Sequence, residues 1–129
     1  MALEQIETIL YVTNQERSRD FYYTLFGFAP SLDVPGMTEF VIGSTTLGLM
    51  PSQGIKKMIG YAIKDPELAA GIPRCELYLV VDDPEIYVQR ALAAGAKELS
   101  VLQPRDWGDE AAYIADPDFH IIAFARKLS

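Results

Sequence analysis

The chain is poor in the residues that carry most metal and nucleophile chemistry. Its 129 residues include one cysteine, one histidine and one tryptophan. A lone Cys75 excludes an intrachain disulfide and a cysteine zinc site. A lone His120 excludes, within one chain, an iron site built from two histidines and a carboxylate. No apolar run approaches the roughly 20 residues that a membrane-spanning helix needs. Met1-Ala2-Leu3-Glu4-Gln5 has no basic cluster leading into an apolar stretch, so no secretory leader is expected and a cytoplasmic location is. Basic residues are few as well: 11 Lys and Arg stand against 18 Asp and Glu, a net charge of −7. Nucleic acid and membrane surfaces are therefore not expected as partners, since both favour a basic face.

What is present suits a folded domain. Half of the residues are hydrophobic, which excludes a disordered chain. The sequence also repeats itself. Glu7-Thr8-Ile9-Leu10-Tyr11-Val12 aligns with Glu76-Leu77-Tyr78-Leu79-Val80-Val81, and both segments read as strands. A helix follows each. Thr13 with Glu16 suits a capping box, and Asp83 before Pro84 suits an N-cap with proline at the first helical position. Apolar residues recur at helical spacing (Phe21, Leu25 and Phe26, then Val88, Ala91 and Leu92) up to Gly27 or Gly95. Three short strands are then expected in each half, near 28–34, 37–43 and 45–50 and near 97–102, 110–116 and 119–126. The expected fold is α+β, with two βαβββ modules at 1–50 and 75–129. Residues 51–74, rich in proline and glycine, form a connector with a short helix near 66–70.

The two βαβββ halves resemble the vicinal oxygen chelate superfamily, which holds glyoxalase I, bleomycin resistance proteins and extradiol dioxygenases. The likeness rests on Leu10-Tyr11-Val12, Ser18, Phe21-Tyr22 and Leu25-Phe26-Gly27 in the first half. In the second half it rests on Trp107-Gly108 and on Asp116-Pro117-Asp118-Phe119-His120, where the family usually has Asp-Pro-Asp-Gly-His. The resemblance implies curved mixed sheets around a concave pocket, often completed by a second subunit. It also implies metal ligands on the first and last strands of each half. The first-strand positions are Glu7 and Glu76. The last-strand positions are Leu49 and Ala123, which cannot ligate, so no metal set is complete and any divalent metal is expected to be weakly bound.

Strand alternation places Leu77, Leu79 and Val81 on one face and Glu76, Tyr78 and Val80 on the other. A small-molecule pocket lined by Ile9, Tyr11, Leu49, Tyr78 and Ala123 is expected, with Glu7 and Glu76 as its catalytic or polar centre. Three roles stay open for the two carboxyls: a hard cation held with water, a shared proton for acid–base work, or charges paired with arginine. Trp107 and Arg105 read either as a pocket mouth, stacking on a ligand and gripping its carboxylate, or as a loop plug with Arg105 ion-paired nearby. His120 reads as a turn residue and Cys75 as inert. Phe119 is expected at positive φ if the turn keeps its glycine geometry. Tyr22, Tyr23 and Phe26 exceed one helix face, and a homodimer is expected. The resemblance implies a glyoxalase-like protein binding a small molecule, with lyase or isomerase chemistry, or else a non-catalytic sequestering protein.

Overall fold

Eight strands and three helices make up the computed structural model, which describes residues 2–129. In chain order they are β1 (Glu7–Val12), α1 (Gln15–Phe26), β2 (Leu32–Val34), β3 (Met37–Ile42), β4 (Thr45–Pro51), α2 (Ser52–Ile59), β5 (Glu76–Val80), α3 (Pro84–Ala93), β6 (Lys97–Pro104), β7 (Asp109–Ala115) and β8 (Ile121–Lys127). Two four-stranded mixed sheets result, in the orders β1-β4-β3-β2 and β5-β8-β7-β6. In each, the first strand of a βαβββ module runs parallel to the last, and the other pairs are antiparallel. The α+β class and the duplicated module are thus as expected. Packing divides the chain into two units: the chain up to Arg19 with Phe28–Ala70, and Asp20–Gly27 with Gly71–Ser129.

In the first unit, Leu10, Val12, Phe40, Leu47 and Leu49 are fully or nearly fully buried on one face of the sheet. Phe28 meets Phe40 edge-on, with centroids 6.2 Å apart. In the second unit, Leu77, Leu79, Ile122 and Phe124 share a face, and Tyr87 of α3 stacks on Phe124 at 5.6 Å. Tyr22, from the second half of α1, is wholly buried in this unit. Phe26 is also buried, and only Tyr23 of the three surplus aromatics is exposed. Tyr22 and Phe26 therefore serve internal packing and offer nothing to a dimer interface.

Two local expectations change. The first helix is capped by Asn14, whose Oδ1 accepts from Arg17 N at 2.9 Å. Thr13 instead donates to Glu67 Oε1 at 2.6 Å, and Ser52 donates to Glu67 Oε2 at 2.7 Å. Glu67 thereby ties the connector to the end of β1 and the start of α2. The connector also holds more helix than its prolines and glycines suggested: α2, a 3-10 turn at Gly60–Ala62 and another at Pro66–Ala69. Lys56 makes this possible by donating to the carbonyls of Gly60 and Ile63 at 3.1 and 2.8 Å, closing the C-terminus of α2.

Candidate functional site

Strand register decides which side chains share the open face of the first sheet. Ile9 lies beside Gly48, Tyr11 beside Met50, and Glu39 beside Gly48. Glu7, Ile9, Tyr11, Glu39, Val41 and Met50 therefore stand on one side. Leu49 pairs with Leu10 and Thr38 on the opposite, buried side. The expected lining by Leu49 is replaced by Gly48, because a one-residue step along a strand reverses the face. The missed signal was local: Leu47 and Leu49 alternate as a core pair and leave Gly48 outward.

That glycine shapes the site. A Cβ at position 48 would lie 2.5 Å from Glu7 Oε2, 3.1 Å from Ile9 Cγ1 and 3.2 Å from Met37 Sδ. Glu7 thus lies across the bare backbone of β4, where Gly48 pairs with Glu39 on β3. Burial, then the Glu39 hydrogen bond and charge, raise the Glu7 carboxyl above its usual 4.5. Glu7 Oε2 is buried with no hydrogen-bond partner. The carboxyl nearest Glu7 on its own sheet is that of Glu39, a residue outside the expected site.

On the second sheet, Glu76, Tyr78 and Val80 share a face with Ala111, Tyr113, Ala123 and Ala125. The alanines are low enough for Tyr78 to cross β8, so its hydroxyl donates to Asp109 Oδ2 on β7 at 2.5 Å. The indole of Trp107 donates to the same hydroxyl at 2.8 Å, which fixes a ring that is still 53% exposed. Burial and Asp109 raise the Tyr78 phenol above 10, partly offset by Trp107. Burial and the charge of Glu76 raise Tyr113, while Arg105 opposes them. Both phenols are neutral at physiological pH.

Among the described residues Arg105 forms no ion pair, and its hydrogen bonds go to β6 and β7. Register shifts in β6 between Glu98 and Ser100 and between Ser100 and Gln103 break the ladder with β7. Arg105 fills the gap. Its Nη2 donates to Ser100 Oγ at 2.9 Å, Val101 O at 3.1 Å and Ala111 O at 2.9 Å, and its Nε donates to Ala111 O at 3.2 Å. The guanidinium also lies 5.2 Å from the Tyr113 ring centroid. Through Nε and Nη2, Arg105 braces the bulge and supports the strand beneath Tyr113.

Among the described residues, Asp116, Asp118 and His120 bring potential metal-ligand atoms within 4.8 Å of one another. Both Asp116 oxygens and His120 Nδ1 already have partners. Asp116 Oδ2 accepts from Tyr22 OH at 2.6 Å and meets His120 Nδ1 at 2.8 Å. Its Oδ1 accepts from the backbone N–H of Asp118 at 2.9 Å and of His120 at 2.7 Å. The Asp116 carboxylate is the hub of the β7–β8 turn. Burial lowers His120, but the hydrogen bond and charge of Asp116, with Asp118, outweigh it and raise the imidazole above 6.5. Phe119 in this turn has φ of 68°, the glycine geometry expected there. On the open faces the last strands present Gly48 and Ala123, neither with a ligating atom.

Similarity to known proteins agrees with this architecture. An uncharacterised protein of Mycobacterium bovis is 30% identical over 115 residues, covering 86% of this chain and 75% of that protein. A glyoxalase-related enzyme from Fulvimarina pelagi superposes with a TM-score of 0.81 at 25% identity, covering 97% of this chain and 89% of that one. A glyoxalase/bleomycin resistance protein/dioxygenase family enzyme from Burkholderia phytofirmans PsJN has a TM-score of 0.78 at 18% identity, over 95% and 97% of the two chains. The glyoxalase-like domain model matches residues 5–129, and the chain belongs to that family.

Proposed function

We propose that this protein binds a small organic molecule against the open faces of its sheets and sequesters it without a tightly held metal. One observation carries the reading. The last strand of each module turns Gly48 or Ala123 toward the open face, while Ile9, Tyr11 and Val41 on one sheet and Tyr78 and Val80 on the other stay solvent-exposed. Exposed apolar and aromatic side chains around a few polar groups are the usual make-up of a ligand site. Glu7 and Glu76 supply the polar centres, and Trp107 supplies a fixed aromatic edge. A homodimer in the cytoplasm belongs to the same proposal.

A second reading has its own support. Burial and the neighbouring Glu39 raise the Glu7 carboxyl and equip that residue for proton transfer, which a lyase or isomerase would use. The test uses the single tryptophan. A panel of aromatic small molecules is titrated into the untagged protein, following Trp107 fluorescence and the backbone NMR signals of Ile9, Tyr11 and Val41. Sequestration predicts saturable changes at these residues and unchanged ligand chemistry; turnover of the bound compound selects the second reading. A full equivalent of zinc or nickel per chain, surviving dialysis against a mild chelator, would overturn the metal-free reading.

A further inference from the structure

Glu7 and Glu39 belong to strands that do not pair with each other, because β4 runs between β1 and β3. They meet only because Gly48 puts no side chain in the way. Ionised carboxyls only accept hydrogen bonds, so two side by side have more acceptor oxygens than hydrogens to fill them. The buried, unpartnered Glu7 Oε2 is the visible deficit. Among the described residues, the four strands of this sheet carry no lysine or arginine. Beside the pair, β1 adds Tyr11, while β2 and β4 add no ionisable group to this side. Ile9, Tyr11 and Val41 stand exposed around it.

We propose that Glu7 and Glu39 receive the ammonium head of an amine-bearing organic molecule, whose apolar body lies on Ile9, Tyr11 and Val41. The proposal rests on the binding reading above and narrows it to one ligand class. An ammonium brings three hydrogen-bond donors, enough to serve both carboxyls, and a turn of the last Glu7 torsion exchanges its two oxygens. A hard divalent cation needs about six oxygen ligands, and this apolar face offers two carboxyls with Thr46 beside them. An anion would meet like charge.

The probe is benzylamine, titrated into the full chain at neutral pH by calorimetry and NMR. It is compared with benzyl alcohol, which keeps the ring and loses the charge, with phenylacetate, which reverses it, and with magnesium. Benzylamine is expected to bind about tenfold or more tightly than benzyl alcohol, as charge-assisted hydrogen bonds should. The signals of Ile9, Glu39 and Gly48 should shift with it. Glu39→Gln should remove the preference, and Gly48→Ala should do so independently by displacing the Glu7 carboxyl. Equal affinity for amine and alcohol overturns the ammonium site while leaving apolar binding intact. A preference that survives in both variants, or magnesium binding more tightly than benzylamine, also overturns it. If no organic probe shifts this face, the binding reading fails with it.

Discussion

Replacing Gly48 by alanine separates the two things that glycine does in β4. The new Cβ falls 2.5 Å from Glu7 Oε2, whereas ordinary contact begins near 3.4 Å, so the carboxyl must retreat by about 1 Å. The obstructing atom is the end of a flexible side chain, which moves at little cost. Ile9 Cγ1 and Met37 Sδ, at 3.1 and 3.2 Å, yield by a few tenths of an ångström. Gly48 is not among the glycines at positive φ, so alanine fits its backbone. It should recover about 0.4–1 kcal/mol by restricting the unfolded chain. The net expectation is unchanged or slightly higher stability, together with displacement of the Glu7 carboxyl from its place over β4 beside Glu39. The pH dependence then follows by linkage. Because Glu7 titrates above 4.5 when folded, its contribution is complete below that pH and is lost as pH rises through the raised value. Urea unfolding from pH 4 to 8 should show this decline in the parent chain and a flatter profile in Gly48→Ala. A loss of more than about 1 kcal/mol with an unchanged profile would refute the reasoning, since the backbone rather than the carboxyl would have yielded.

Four further expectations concern the second unit. Asp116→Ala strands Tyr22 OH and two backbone N–H groups, and should cost about 3 kcal/mol or more in chemical denaturation. His120→Ala should remove a stabilisation that is complete below pH 6.5 and fades as pH rises through the raised imidazole value; parent and variant profiles that stay parallel from pH 6 to 9 would contradict this. Phe119→Gly relieves left-handed strain of about 1–2 kcal/mol, but costs about 0.5–1 in chain entropy and about 0.5–1 in the Lys97 cation–ring contact, so the melting temperature should barely move. Arg105→Lys keeps the charge and loses the fork that serves Val101 O and Ala111 O; a fall of about 1–2 kcal/mol in a melt is expected, and a neutral outcome would remove the bracing role.

The sequence by itself determined the module and its duplication. Alternation in Glu76–Val80, helical spacing in Phe21–Leu25 and the turn residues at 116–118 are local patterns, and each names its element without reference to the rest of the chain. Positive φ at Phe119 was legible for the same reason, because the turn motif surrounds it. α2 was hidden because Pro51, Gly54 and Gly60 punctuate it, while its closure depends on Lys56 reaching later carbonyls. What the tertiary structure decided was adjacency. Glu7 meets Glu39 because β4 lies between their strands and carries a glycine there; neither strand order nor register is written at either glutamate. Tyr22 finds Asp116 at |i−j| of 94, so no local pattern could separate its burial from a surface role. Arg105 likewise answers to carbonyls freed by a bulge that only strand pairing creates. Local periodicity selects elements, whereas the pairing of buried polar groups depends on which strands become neighbours, and that is settled only when the sheets assemble.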